Sequence, residues 1–393
     1  MSDRPGDRTD GTVDRATTSG DAATMSRRSY LAAAGAASTA LGAGCLGGGG
    51  AGAGGSTTIN IITWEEFEEM ESNIEDTLDI DIEITPSTSS TEMFSQWNSG
   101  QDEQFDIAVP NNNLVPRFMD ADLVAPMPED VVDNFDSLYD KFQQFVDEQF
   151  TAGGDSYGVP IRFGWYGYAY DTREVPEHDP SYDIMFDEDY VDADLDGEII
   201  MYDEAAKTIP VAALYLGHED ALTESDVMDF SEEQLNEIRD TLIEQKSRLQ
   251  GYISSDPTFI QEFQQGNFLV GHSGRNEVVE TWTQGDDWAE FVVPQEGAMA
   301  WYETAVVSAA SDNQEAAWEV INEFVAPENG AALARAGYSP SCNPAVAEEL
   351  DSDENDLFGS VDPERLDGMI PFKDIASDVQ DTYESTWEEV KSA

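Results

Sequence analysis

The residues whose spacing could do chemistry are few, and most are acidic. Asp192-Ala193-Asp194-Leu195-Asp196-Gly197-Glu198-Ile199, running on to Asp203, places acids at loop positions 1, 3, 5 and 12, glycine at 6 and a branched apolar residue at 8. That is the spacing of a calcium loop. Position 12 is an aspartate where a bidentate glutamate is usual, and the residues before it read as a strand, so a plain acidic turn is expected. His178, His218 and His272 have no metal-ligand spacing, and no Gly-x-Ser-x-Gly elbow or phosphate loop occurs. Paired carboxylates could hydrolyse a glycoside. In a chain with 82 acidic residues, however, such pairs arise everywhere. The expectation is a binding protein without catalytic residues, metal or cofactor. A secreted hydrolase and a calcium-dependent surface protein are the rival classes.

A second group of residues bears on address. Ser26-Arg27-Arg28-Ser29-Tyr30-Leu31 precedes a small-apolar run, Ala32 to Gly44, then Cys45 and a glycine-rich tether to Gly55. Paired arginines before a short apolar stretch read as a twin-arginine export segment. Cys45 at its end reads as a lipidation site, with Gly42 where leucine is more usual and plain cleavage as the alternative. The run is too short and glycine-rich for a membrane-spanning helix, which needs about 20 apolar residues. The expected place is the outer face of the cell membrane, on a lipid anchor.

Charge narrows the partners. Of 82 acidic and 18 basic residues, five of each fall in the first 44, leaving 77 acids, 13 bases and a net charge of −64. Lysine is reduced to Lys141, Lys207, Lys246, Lys373 and Lys391. Such a surface suits molar salt, where the Debye length is about 3 Å, and is what an extreme halophile would carry. It offers no basic patch to nucleic acid. With Cys45 lipidated, Cys342 has no partner for an intrachain disulfide and is expected as a small buried side chain.

The elements that must position any site alternate. Thr58 to Trp64 reads as a buried first strand, Glu65 to Leu78 as helix, and Ile80 to Ile84 as an alternating strand. Phe105 to Pro110 reads as a short strand before the polar loop Asn111-Asn112-Asn113. A strand is expected near Tyr170 and another from Gly197 to Tyr202. Helices are expected from Ser231 to Leu249, Gln314 to Phe324 and Val379 to Val390. Alternation of this kind argues α/β with open sheets, and the length left after the leader suits two domains.

Five stretches, in order, resemble the solute-binding lipoproteins of polyamine ABC importers, the spermidine/putrescine-binding family, here of halophilic archaeal type. They are Ile61-Ile62-Thr63-Trp64-Glu65; Phe105 to Pro110; Tyr157-Gly158-Val159-Pro160 with Gly164, Gly167 and Ala169-Tyr170-Asp171; Val293 to Gly297 with Trp301 and Glu303; and Phe324, Pro327-Glu328-Asn329 with Gly337 to Pro340. The resemblance covers Ile59 to the C-terminus, with a divergent middle. It implies a two-lobe periplasmic-binding-protein-like fold with a ligand cleft between lobes. It implies cleft roles for Trp64, Trp301 and Tyr338, and amine-receiving roles for Glu204 and Glu303. It also exposes departures. Phe67 and Asn113 replace tyrosines, His272 replaces a wall tryptophan, Lys207 stands where an ammonium-binding glutamate would be, and Lys373 falls near a glutamine. Asn111 completes the expected set. With Arg162 and Arg275, four of only 13 cations map at or near the expected cleft.

The domain expectation is a leader over 1–44, a lipidated tether over 45–56, one lobe from 57–170 with 302–345, and the other from 171–301 with 346–393. The chain is expected to act as a monomer that hands a small solute to a membrane permease. A polyamine such as putrescine or spermidine is the expected solute. The alternative on the same fold is an anionic or zwitterionic solute read by Lys207, Arg275 and Lys373.

Overall fold

The computed structural model describes residues 57–128, 131–224, 227–359, 366, 368–376 and 379–393. The expected export segment and Cys45 lie outside these residues. In chain order the main elements are β1 Thr58–Thr63, α1 Glu71–Leu78, β2 Asp81–Pro86, α2 Ser90–Gln96, β3 Ile107–Ala108, β4 Val159–Asp171, β5 Ile199–Tyr202, α3 Ala205–Tyr215, α4 Glu232–Gln245, β6 Leu249–Ile253, α5 Asp256–Gln264, β7 Val270–Gly274, α6 Arg275–Thr283, β8 Ala289–Val292, β9 Ala298–Val307, α7 Gln314–Phe324, α8 Pro327–Gly337, β10 Met369–Pro371 and α9 Gln380–Ser392.

One sheet runs through both lobes in the order β2-β1-β3-β9-β4-β7-β5-β6, with β8 beside β4 and β10 beside β9. Its ends are parallel triplets, β2-β1-β3 and β7-β5-β6. Between them lies the antiparallel pair β4–β9. The first half of β4 pairs with β9, and its second half with β7 and β8. This strand is therefore the crossing from one lobe to the other. All thirteen of its residues are buried, which is why it carries no polar alternation.

Each lobe has its own apolar centre. The larger gathers Ile59 through Trp165 with Ala300 through Cys342, including Phe67, Trp97, Phe163 and Trp318. A second gathers Tyr168 through Met299 with Ile370 through Val390. Local rules place the elements. Ser231 caps α4, accepting from the Gln234 backbone N–H while the Gln234 side chain accepts from Ser231 N–H. The helix expected to reach Leu249 ends at Gln245, because a tight turn over Lys246–Arg248 delivers Leu249 into β6. Glu65–Met70 is a 3₁₀ turn ahead of α1 instead of its first turn. Cys342 is buried and unbridged.

Candidate functional site

Side chains from both lobes meet in a cleft of about 490 Å³ that opens along one face of the β4–β9 pair. Arg162 and Tyr166 of β4 and Trp301 and Glu303 of β9 line it. Strand alternation turns Trp165 and Ala298 the other way, into a separate cavity. Gly164 allows Trp301 to lie flat on β4: a Cβ there would come within 2.6 Å of the indole.

The floor is an ion pair. The Arg162 guanidinium donates from Nε to Glu303 Oε2 at 2.6 Å and from Nη2 to Oε1 at 2.9 Å. Nη2 also lies 3.5 Å from Glu66 Oε1. Residues 162 and 303 are 4% and 3% exposed, so the pair is held away from water. Burial pushes the Glu303 carboxyl up to about 7, against the lowering by Arg162. Burial also opposes the Arg162 charge, but the Glu303 carboxylate more than offsets it and holds the guanidinium above its ordinary range. Gly337, at the end of α8, leaves room for this guanidinium, since a side chain there would overlap Nη1.

The first-lobe wall is built where β1 and β3 end. Trp64 follows β1 directly, and its indole N–H donates to the Val109 carbonyl at 2.9 Å. The Asn111 backbone N–H donates to Ser90 Oγ at 2.8 Å, seating the loop on the start of α2. Asn111 and Asn113 face the cleft. Asn112 between them is buried and donates to the Phe372 carbonyl at 3.0 Å.

Three helices of the second lobe begin at the opposite wall. Glu204, Ala206 and Lys207 come from the start of α3, Ser255, Asp256 and Pro257 from α5, and Asn276 from α6. None of the three has a side-chain cap from its N-cap residue, though the buried Glu277 carboxylate sits at the start of α6, beside Gly274. Lys207 Nζ lies 3.4 Å from Glu204 Oε2, 4.3 Å from the Tyr202 ring centre and 5.3 Å from that of Tyr166. Tyr202 donates its hydroxyl to Asp256 Oδ1 at 2.6 Å.

Seven of the expected residues therefore line one cleft: Trp64, Asn111, Asn113, Glu204, Lys207, Trp301 and Glu303, with Lys373 beside them. Three do not. Phe67 is fully buried in the first-lobe core, edge-on to Phe324 at 5.4 Å. His272 is 1% exposed behind Tyr166 and Tyr202, at 5.4 and 5.5 Å between ring centres. Burial and the Lys207 charge hold its pKa down to about 3, so the ring is neutral. Tyr338 takes the left-handed backbone after α8, with φ of 52°, and packs beside Val279 and Ala331. Arg275 lines the separate cavity, between Trp165 and Trp282.

Sequence reasoning passed over Glu66, Asp256, Tyr166, Asn276 and two hydroxyl-rich helix entries, Thr88 to Thr91 and Ser254-Ser255. Hydroxyl pairs before a helix were the only available cue. At the acidic turn, Asp203 accepts from Lys391 Nζ at 3.0 Å and from Trp387 Nε1 at 3.2 Å. Asp196 turns toward Arg248 at 3.7 Å. Two of the four carboxylates of the calcium-like spacing thus face basic partners elsewhere, and Asp194 accepts from the Asp196 backbone N–H. Among the described residues no three acids, histidines or cysteines gather as a metal site, and no helix is long and apolar enough to cross a membrane.

Solved structures share this architecture. The spermidine/putrescine ABC transporter substrate-binding protein PotD of Streptococcus pneumoniae, in complex with calcium and HEPES, superposes with a TM-score of 0.71 at 18% identity, over 86% of this chain and 99% of that one. The Tp0655 (TpPotD) lipoprotein of Treponema pallidum gives 0.69 at 18% identity, over 85% and 99%. The binding protein MotA of A. tumefaciens B6, in complex with glucopine, gives 0.64 at 13% identity, over 85% and 100%. Residues 64–358 match the family described as bacterial extracellular solute-binding protein, and the chain belongs to that family.

Proposed function

We propose that this chain captures a small organic solute outside the cell for the permease of an ABC importer, and that the solute carries an anionic group together with an amine. The carrying observation is that the acids expected to receive amines already have partners. Glu303 is held at both oxygens by Arg162, and Glu204 lies 3.4 Å from the Lys207 ammonium. A chain of ammonium groups entering this cleft would meet Arg162, Lys207 and Lys373, three cations from a molecule that has few. Desolvating like charges side by side is unfavourable by several kcal/mol. An anionic group suits the part-exposed Lys207 and the start of α3, which has no side-chain cap. An amine suits the faces of Trp64 and Trp301 beside Glu66, each cation–π contact adding about 0.5–2 kcal/mol.

The polyamine reading keeps support from Glu66, Glu204 and Asp256, and from the likeness to spermidine/putrescine-binding neighbours. The fold alone does not choose, since a neighbour was solved with glucopine. The same proposal includes export, anchoring at Cys45, action as a monomer, and closure of the lobes about the crossings near Tyr170 and Glu303, with lobe limits at 57–170 with 302–345 and 171–301 with 346–393. Ligands with contacts made only in the closed state would favour it. Calorimetric titration in molar KCl with zwitterionic amino compounds, organic anions, putrescine and spermidine tests the solute class. Heat from a zwitterion, with none from the two polyamines, is expected; tight polyamine binding with no zwitterion response would overturn it.

A further inference from the structure

We infer that Lys207 is the built-in occupant of an ammonium receptor, and that this occupancy is what keeps amine-rich chains out of the cleft. The inference rests on the proposed solute reading and deepens it.

The receptor is a corner. Tyr166 and Tyr202 meet at 85° with their centres 5.8 Å apart, so two electron-rich faces look into one space. His272 braces both rings from behind, and Phe372 stacks on Tyr166 at 5.6 Å. The Asp256 carboxylate is fixed on this wall by the Tyr202 hydroxyl, and Glu204 Oε2 lies 3.4 Å from Nζ on the solvent side. Two aromatic faces and two carboxylates are what a primary ammonium needs. Lys207 starts only three residues into α3, so its stem is anchored and its Nζ reaches the corner at 4.3 Å from one ring and 5.3 Å from the other.

A filled receptor has two consequences. A second ammonium cannot share the corner, so a ligand whose first charge would dock there is refused. The lysine side chain remains 20% exposed, so its charge still faces the cleft and can meet an anionic group. Lys207 is thus a specificity-determining residue: it exchanges a cation site for an anion contact without dismantling the cage.

The test empties the corner and refills it. Lys207→Ala removes the atoms that propylammonium would replace. Titration of folded Lys207→Ala in molar KCl should show propylammonium binding at least roughly tenfold tighter than in the wild type. Lys207→Met, which fills the corner with an uncharged stem, should show no gain. If the alanine variant unfolds alone, propylammonium but not propanol should raise its melting midpoint. Equal propylammonium affinity in the wild type, Lys207→Ala and Lys207→Met, or an unfolded alanine variant that propylammonium does not rescue, would overturn the inference. Rescue with no zwitterion response in the wild type would sink the solute reading and leave the cage standing. A zwitterion response without rescue would do the reverse.

Discussion

Arg162 and Glu303 give the cleft a rigid floor. Removing one partner of such a buried pair typically costs about 3–5 kcal/mol, because the other is left charged and unsolvated. His272 works differently. Its folded pKa of about 3 lies below the ordinary value near 6.5, because burial and Lys207 oppose the charged form. The unfolded chain therefore binds more protons at this site between those limits, and the folded state loses stability as pH falls from about 6.5 toward 3. Replacing it by His272→Phe should remove that contribution. Urea unfolding in molar KCl at pH 7 and pH 5 should show a smaller loss for the variant than for the wild type, by on the order of 1–2 kcal/mol. Equal losses in both would contradict the neutral, buried ring. At this scale the sequence was only partly readable. Trp64, Trp301 and Glu303 could be placed by their motifs. Phe67, His272 and Tyr338 could not, because a strand or turn position says nothing about which side a neighbouring element covers.

Among the elements, the cleft depends on how closely β4 and β9 approach. Trp301 rests on Gly164, with no room for a Cβ. Gly164→Ala should force the indole off the strand, lower stability by about 1–3 kcal/mol as overpacking does, and shift the tryptophan emission. An unchanged spectrum and melting midpoint would show that the ring does not lie on this glycine. The first strand ending just before Trp64, the helix from Gln314 to Phe324 and the capped helix after Ser231 were legible, because apolar periodicity and capping chemistry act locally. The crossing strand Val159–Asp171 was seen only at its end. Buried on both faces, it mixes glycine with aromatic residues and shows no polar–apolar alternation. The hydroxyl-rich entries to α2 and α5 went unnoticed, since a cap and a cleft wall call for the same residues.

For the whole molecule, charge is the governing quantity. A net charge of −64 repels itself strongly once screening is weak. Dialysis from molar KCl to about 20 mM buffer, with unfolding expected below roughly 0.5 M salt, should erase most of the circular dichroism signal; an unchanged spectrum would contradict this. The two-lobed α/β class was readable from alternating strands and helices and from motif order. The sign of the solute charge was not, since on the proposed reading it turns on side chains far apart in sequence: Arg162 with Glu303, and Lys207 with Tyr166 and Tyr202. The measurement that tests this most directly is calorimetric titration of Lys207→Glu beside the wild type in molar KCl. A zwitterion that binds the wild type should lose its heat in the variant, and putrescine should gain affinity only there. Tight putrescine binding by the wild type, with the zwitterion unaffected by Lys207→Glu, would contradict the account.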